Sequence, residues 1–307
     1  MDPLSPELLR EFLPPDTPAT PPFSFLHPGA LFLFSERLSY RVVDGPAGGR
    51  LLIAVTNDGA VFLPLPPLPF FDPGLCSRDR GALLARIFSD LSARFPASPP
   101  PFLENCPAAL APEGAFLSEA GEREIVLAAS TICAPRGNPG RIFRWEGNRL
   151  ERLLGPVQVR RIGLEEGDAV RALIRDFSGH RRTVARDSLE REMASDMERA
   201  FERAMDPEGG DSLEGWRLDG RGGLLAAGWY GRSPSGRVLA GFLEARRADV
   251  SNVGALMMRK ILEAEGGGKE TVAWVNIGGG SGIGGVERAK KSRPHDLVLP
   301  LIRILPR

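Results

Sequence analysis

The spacing of hydrophobic and polar positions in residues 237–293 changes regularly between two periods. Apolar runs of strand length are followed by runs that repeat their apolar positions every three or four residues, which is the period of a helix. The pattern predicts strands at 238–245 and 271–277 and helices at 253–263 and 283–291. The rest of the second half of the chain is organised around this βαβα segment.

The same periods predict the remaining elements of the second half. They are a strand at 157–162, a helix at 165–177, a long helix that ends at Met205 and is capped by Asp187 or Ser188, strands at 213–218 and 223–230, and a final strand at 297–304. The resulting order is β-α-α-β-β-β-α-β-α-β, which is the topology of the acetyltransferase (GNAT) fold. We therefore expect residues 156–307 to form one GNAT-like domain.

The first half of the chain has fewer clear elements. Residues 1–22 are predicted to form a short helix followed by a proline-rich linker, and residues 23–155 a first domain. An Asn-Asp-Gly turn between two apolar runs predicts a hairpin at 50–65, because these residues tolerate the backbone of a tight turn. An amphipathic helix is expected at 81–95 and a buried strand at 124–131.

Composition narrows the class of protein. The chain has 307 residues, and its 39 Lys and Arg equal its 39 Asp and Glu, so no global field draws it to nucleic acid or to an anionic membrane. The cysteines are widely spaced and the three histidines have no ligand partners nearby, so we expect neither disulfides nor a metal site. With no apolar run of about 18 residues, we expect no transmembrane segment and a cytoplasmic location.

Basic and aromatic residues alternate in the middle of the chain. The basic positions are Arg136, Arg141, Arg144, Arg149, Arg152, Arg160 and Arg161, with Phe143 and Trp145 between them. Such a segment suits a polyanion, because guanidinium groups bind phosphates and rings stack on bases. The alternative is a solvated helix face whose carboxylates pair locally.

The glycine-rich loop at 276–285 matches a dinucleotide-binding pattern only formally. A dinucleotide domain requires a second strand with an acidic residue about 20 positions later and then further βα units, whereas this sequence has no acidic residue after Asp296 and no further βα unit. The loop also lacks the Lys and the Ser or Thr of a phosphate-binding Walker loop. We exclude both classes.

In the GNAT fold, the pyrophosphate of the acyl carrier binds backbone amides where the helix after the fourth strand begins. The corresponding residues here are 249–256. Ser251, Gly254 and Leu256 stand where the usual pattern has Arg or Gln, Gly, and Gly or Ala, so one position of three matches. The motif therefore gives little support for ordinary acetyl-CoA use.

Three segments together carry a resemblance to a known family. The first is SFLHPGALFLF near the start of the chain; the second comprises Gly140, Arg141, Phe143, Asn148, Leu150, Arg152 and Leu153; the third comprises Val275, Asn276, Gly282, Ile283, Gly285, Ala289, Lys290, Ser292 and Pro294. On these residues the chain resembles a bacterial family related to the C-terminal catalytic domain of phosphatidylglycerol lysyltransferases. The resemblance implies an α/β fold of two tandem GNAT-like domains, each a mixed, mostly antiparallel sheet flanked by helices. It also implies transfer of an acyl or aminoacyl group from acyl-CoA or aminoacyl-tRNA to an amine or hydroxyl of a small-molecule or phospholipid-like acceptor.

The chain departs from the family in the glycine loop. Where the family has Arg followed by acidic or amide residues, this sequence has Ile277 and three glycines, and Glu287 replaces a later Arg. The side chains of Ile277 and these glycines cannot act as base or phosphate ligand. The loop either acts through its backbone amides alone, or the chemistry has been lost or moved. Two hypotheses remain: an acyl- or aminoacyltransferase-like enzyme, and a non-catalytic relative that serves as a binding or scaffold module.

For the enzyme hypothesis the sequence offers a set of candidate residues. The candidate catalytic residues are Glu244, Asn276 and Lys290, and the candidate donor or phosphate ligands are Arg141, Arg144, Arg152, Asn252, Gly254, Gly280, Ser281, Gly282 and Arg288. Each has an ordinary structural alternative. Glu244 is the best candidate base, with a surface carboxylate as its alternative, and Trp229 and Tyr230 are expected to pack in the core.

Overall fold

The computed structural model describes residues 6–15, 22–33, 38–133, 137–206, 213–250, 253–265, 272–278 and 296–307, which form a mixed α/β structure. The helices are α1 (Pro6–Arg10), α2 (Pro28–Leu33), α3 (Ser77–Arg94), α4 (Ala129–Cys133), α5 (Gly137–Leu154), α6 (Gly167–Val184), α7 (Ser188–Ala204) and α8 (Val253–Ala264). The strands are β1 (Ser39–Asp44), β2 (Arg50–Val55), β3 (Val61–Leu63), β4 (Phe102–Pro107), β5 (Phe116–Ala128), β6 (Gln158–Arg161), β7 (Glu214–Gly220), β8 (Gly223–Arg232), β9 (Val238–Arg246), β10 (Trp274–Asn276) and β11 (Leu297–Pro306).

The described residues divide into two compact units. The first unit contains the described part of 1–21, residues 25–124 and Leu299–Arg307, while the second contains Pro22–Ser24 and the described part of 125–298. Strand β5 is continuous through the boundary, and the end of β11 belongs to the first unit.

The first unit is built on strands in the order β1-β2-β3-β4-β11-β5. The predicted hairpin is confirmed, because β2 and β3 pair antiparallel with Ala54 opposite Phe62. Helix α3 begins four residues earlier than predicted and buries Leu84, Ile87 and Leu91 against the strands. The segment SFLHPGALFLF contains a short 3-10 turn and helix α2.

The second unit contains strands in the order β5-β10-β9-β8-β7-β6. Strands β9 and β10 are parallel, whereas β6 to β9 form antiparallel pairs. Trp229 and Tyr230 are consecutive in β8 and therefore face opposite sides of the sheet. Trp229 packs edge-to-face on Phe201 of α7, and Tyr230 belongs to the core formed with α8, so helices cover both faces.

The predicted element order of the second half is observed for every element that the structure describes. The predicted helix at 283–291 lies outside the described residues. Asp187 caps α7, because its side chain accepts a hydrogen bond from the Glu190 amide at 2.8 Å. The predicted strand at 124–131 was wrong at its end, since β5 stops at Ala128 and α4 follows.

Candidate functional site

The pairing of β8 with β9 contains an irregularity next to the candidate base. Gly228 lies opposite Glu244, and Trp229 opposite Leu243, but Tyr230 lies opposite Gly241. One residue of β9 is therefore left over, which is a β-bulge. Bulges re-aim side chains and are common beside active sites.

The ring of Tyr230 is held between two glycines. A Cβ atom at Gly228 would lie 3.0 Å from Cε2 of Tyr230, and a Cβ atom at Gly241 would lie 3.3 Å from its Cε1. Side chains at either position would therefore crowd the ring, which is almost completely buried. A glycine inside a strand often marks such a close approach.

Tyr230 stays protonated at physiological pH. Burial, and then the negative charge of Glu244, raise the pKa of the Tyr230 phenol well above its ordinary value. The phenol is therefore a neutral group with a proton available for hydrogen bonding, close enough to Glu244 to feel its charge. In the sequence, the only signal for this proximity is the pair of interior glycines, Gly228 in β8 and Gly241 in β9.

Glu244 reaches from β9 to the start of α8. A Cβ atom at Gly254, the second residue of α8, would lie 2.6 Å from Cδ and 2.7 Å from Oε1 of Glu244, and closer still to Oε2. The carboxylate thus lies where the helix dipole and the free amides of the first turn favour a negative charge. Glu244 is only half-buried.

Asn276, the second predicted catalytic residue, has a side chain engaged by the backbone. Its Nδ2 donates to the Pro22 carbonyl at 2.6 Å, and its Oδ1 accepts from the Gly278 amide at 2.7 Å. The residue is fully buried at the end of β10. These two bonds tie the end of β10 to the Pro22 carbonyl and to the start of the loop that follows the strand. Asn276 therefore has a positioning role.

Helix α5 carries the central part of the basic and aromatic segment. Leu150 enters the core of the second unit, and Lys260 of α8 forms an ion pair with Glu151 at 2.9 Å. The opposite face carries Trp145, 57% exposed, with the Arg149 guanidinium 5.4 Å from its ring centroid. The amphipathic helix therefore presents a basic and aromatic face to solvent.

The predicted phosphate ligands of α5 have different outcomes. Arg152 is exposed, and its Nε donates to the Asn148 carbonyl at 3.1 Å, which leaves its other guanidinium donors outward. Arg141 and Arg144 belong to the part of α5 whose side chains lie outside the description.

Arg160 and Arg161 do not join the polyanion surface that the sequence suggested. Arg160 pairs with Glu166 at 2.8 Å and with Asp219 at 3.1 Å. Arg161 pairs with Glu214 at 3.0 Å and lies over the Trp216 ring, 4.0 Å from its centroid. Asp219 and Glu214 come from β7, more than 50 residues along the chain, so the two arginines join β6 to β7 at the edge of the sheet.

Glu214 lies at the centre of one of these ion-pair networks. Burial by itself would raise the pKa of Glu214, but the positive charges of Arg161 and Arg232 outweigh burial and lower it below the ordinary value. Arg232 also pairs with Glu265, which accepts a second bond from Arg161. Two guanidinium groups and two carboxylates thus alternate beside β7 and β8.

The other predicted site residues lie outside the described residues. They are Asn252, Gly280, Ser281, Gly282, Arg288 and Lys290. Among the residues that are described, no three His, Cys, Asp or Glu side chains are grouped so as to hold a metal ion. No helix in the described part of the chain is long and apolar enough to cross a membrane.

Comparison with known proteins gives structural relatives only. No family model matches the sequence, and no curated protein matches it. A conserved protein of unknown function from Bacteroides thetaiotaomicron superimposes with a TM-score of 0.69 at 14% identity, over 92% of this chain and 90% of that one. The chain has the fold of that protein.

Two further structures have the same fold at lower similarity. The C-terminal domain (DUF2156) of a lysylphosphatidylglycerol synthetase from Agrobacterium fabrum gives a TM-score of 0.58 at 10% identity, covering 91% of this chain and 87% of that chain. L-PGS from Bacillus licheniformis gives 0.57 at 12% identity, covering 91% and 86%. At these identities the comparisons show the fold alone, so activity, substrate and mechanism have to be argued from the site.

Proposed function

We propose that this protein is an acyl- or aminoacyltransferase built from two tandem GNAT-like domains. It moves an acyl or aminoacyl group from a phosphate-bearing donor, acyl-CoA or aminoacyl-tRNA, to an amine or hydroxyl acceptor. The observation that carries the proposal is the half-buried carboxylate of Glu244, which lies at the start of α8 beside the neutral phenol of Tyr230. The structural relationship to a lysylphosphatidylglycerol synthetase domain supports the same class of reaction.

In this proposal Glu244 is the general base. The acceptor nitrogen or oxygen attacks the carbonyl carbon of the donor while Glu244 takes the proton that the acceptor loses. The resulting tetrahedral intermediate then breaks its bond to the leaving oxygen or sulfur, and the leaving group receives the proton from Glu244. Atoms and charge balance without a metal or a redox partner.

Tyr230 is a positioning residue for this base. Its buried phenol is fixed by Gly228 and Gly241 and cannot compete with Glu244 for negative charge, because its own pKa is raised. A rigid neutral neighbour keeps the carboxylate oriented and charged, whereas a second ionised group would repel it.

The outward face of α5 supplies cations for the donor. Arg149 and Arg152 lie on that face, and Trp145 lies about one turn before Arg149. Arginines beside an exposed ring suit a phosphate backbone with an exposed base. The predicted Arg141 and Arg144 extend the same helix toward its start. A tRNA donor therefore fits this face, with a small-molecule or phospholipid-like acceptor, in a reducing cytoplasm that suits three unpaired cysteines.

The loop after β10 completes the proposal. Lys290 is assigned as a further catalytic residue, and Gly280, Ser281, Gly282 and Arg288 as donor ligands, because they follow β10 at the end where GNAT-like proteins bind the donor. Gly254 is not assigned to the donor, because the Glu244 carboxylate lies against it. Asn276 contributes by fixing the start of this loop.

The test is transfer of a labelled group by the purified protein. Acyl-CoA and charged tRNA are offered as donors with amine, hydroxyl and phosphatidylglycerol acceptors, and wild type is compared with Glu244→Gln. The control is Glu263→Gln, which removes a carboxylate at the other end of α8, where it pairs with Arg259 at 2.7 Å. Turnover that Glu244→Gln abolishes and Glu263→Gln retains supports the proposal. Absence of turnover with every donor and acceptor would instead favour a binding or scaffold module.

A further inference from the structure

The start of α8 already contains an anion that belongs to the protein. The Glu244 carboxylate lies against Gly254, and an added Cβ there would come within 2.7 Å of Oε1. A glycine at this position leaves the space that the carboxylate occupies. The helix end is therefore charge-compensated before any ligand binds.

The neighbouring cations of this junction are also engaged. Arg247 donates from Nε to Asp249 at 3.0 Å, and Arg246 donates from Nη1 to the carbonyl of Val250. Arg247 and Asp249 thus neutralise each other. Within the described residues 244–250, the carboxylates of Glu244 and Asp249 equal in number the guanidinium groups of Arg246 and Arg247, so this segment has no surplus positive charge.

A pyrophosphate bound here would meet the charge of Glu244 directly. Like charges a few ångströms apart repel strongly in a partly buried site, because little water separates them. In an acyl-CoA-dependent GNAT-like protein this helix end binds the pyrophosphate of the donor, and residues 249–256 are the corresponding segment here. The structure places the Glu244 carboxylate against Gly254 in the first turn of this helix.

We infer that Glu244 is a specificity-determining residue that closes the α8 start to the pyrophosphate of CoA. This inference rests on the proposed function and deepens it, since it selects between the two donor classes. The donor class that remains is aminoacyl-tRNA, an ester whose phosphates bind the protein away from the start of α8. The same carboxylate acts as base for the transfer.

The test is CoA binding by isothermal titration calorimetry, which does not depend on turnover. Wild type, Glu244→Gln and Glu263→Gln are titrated with CoA, and with pantetheine as the matched ligand that lacks the pyrophosphate. At about 1 mM CoA we expect no binding to wild type or Glu263→Gln, and an affinity at least about tenfold higher for Glu244→Gln. Pantetheine should not distinguish the three proteins.

Three results would overturn the inference. The first is that wild type and Glu244→Gln bind CoA with equal affinity. The second is that neither Glu244→Gln nor Glu244→Ala binds CoA more tightly than wild type does. The third is that the affinity for pantetheine rises in Glu244→Gln as much as the affinity for CoA. Thermal unfolding of the unliganded variants verifies that each is folded. CoA binding to wild type would leave the transferase proposal standing as a CoA-dependent reaction, whereas absence of turnover with all donors would remove that proposal and leave the binding result unaffected.

Discussion

The Glu244 carboxylate lies over the Cα atom of Gly254, so that a side chain at position 254 and the carboxylate cannot occupy their present places together. This contact joins the last part of β9 to the first turn of α8. It places a carboxylate near a helix end that stabilises negative charge.

Replacing Gly254 with Ala should displace Glu244 without unfolding the protein. The new methyl group would meet the end of a flexible side chain, which can move away at small cost. We expect turnover to fall about tenfold or more, since a displaced base loses its alignment, while the melting temperature changes little.

The control for this variant is Gly179→Ala in α6, where an added Cβ meets nothing within 4 Å. It should leave turnover unchanged and stabilise the protein by about 0.5–1 kcal/mol, because Ala is the better helix former. Full activity of Gly254→Ala would show that the position of Glu244 is irrelevant to the reaction.

Both tyrosines of the chain, Tyr40 and Tyr230, should resist ionisation in the folded protein. Burial raises the pKa of each phenol well above 10.0, with Glu244 adding to the effect at Tyr230. Their raised pKa values stabilise the fold fully below the unfolded value of 10.0, and this stability is lost as pH rises above it.

A spectrophotometric titration checks this expectation. Phenolate absorbance should appear only together with the loss of tertiary structure, followed by near-ultraviolet circular dichroism. Tyr40→Phe and Tyr230→Phe assign the signal to each residue. Reversible ionisation of Tyr230 near its ordinary pKa in the folded protein would contradict the buried environment described for it.

The ion-pair network around Glu214 should make stability depend on acid. Arg161 and Arg232 lower the pKa of Glu214, so its contribution is present above the unfolded value of 4.5 and is lost as pH falls through the lower folded value. Glu214→Gln should cost about 1–3 kcal/mol at neutral pH and flatten this acid limb. Urea unfolding at several pH values measures both effects.

Glu119→Gln is the matched control, because Glu119 is exposed and 4.0 Å from Arg303. Its effect should stay below about 1 kcal/mol. An equal loss of stability in the two variants would mean that the network around Glu214 contributes no more than a surface pair.

The outward face of α5 should bind polyanions in a salt-dependent manner. Arg149→Ala and Trp145→Ala remove the stacked pair at 5.4 Å, and each should weaken binding of unstructured RNA about threefold to thirtyfold in a filter or fluorescence assay. Arg175→Ala, on the exposed side of α6, serves as control. Equal affinities for all three variants would exclude this face as the binding surface.

Periodicity in the sequence located β8, β9 and α8 to within a few residues, because local apolar patterns determine such elements. It could not place Tyr230 beside Glu244, since their approach depends on the pairing of two strands, with Gly228 opposite Glu244. The interior glycines Gly228 and Gly241 were the available signal. Strand pairing, unlike strand formation, is decided by contacts distant in sequence.

The errors in the sequence analysis have the same cause. Residues 129–131 were assigned to a strand, but Asp296 accepts hydrogen bonds from the Ala128 amide at 2.7 Å and from Thr131 Oγ1 at 3.3 Å, which holds the start of α4. Arg160 and Arg161 were grouped with a polyanion surface, yet their partners include Asp219 and Glu214. In both cases the deciding carboxylate lies far along the chain.

The central claim is that the Glu244 carboxylate carries out proton transfer in a group-transfer reaction. The most direct measurement is the rate of transfer from charged tRNA to an amine or hydroxyl acceptor by wild type, Glu244→Gln and Glu263→Gln, at several pH values. The account predicts that Glu244→Gln loses about 100-fold or more in kcat and that Glu263→Gln equals wild type. Wild-type turnover by Glu244→Gln would contradict the account.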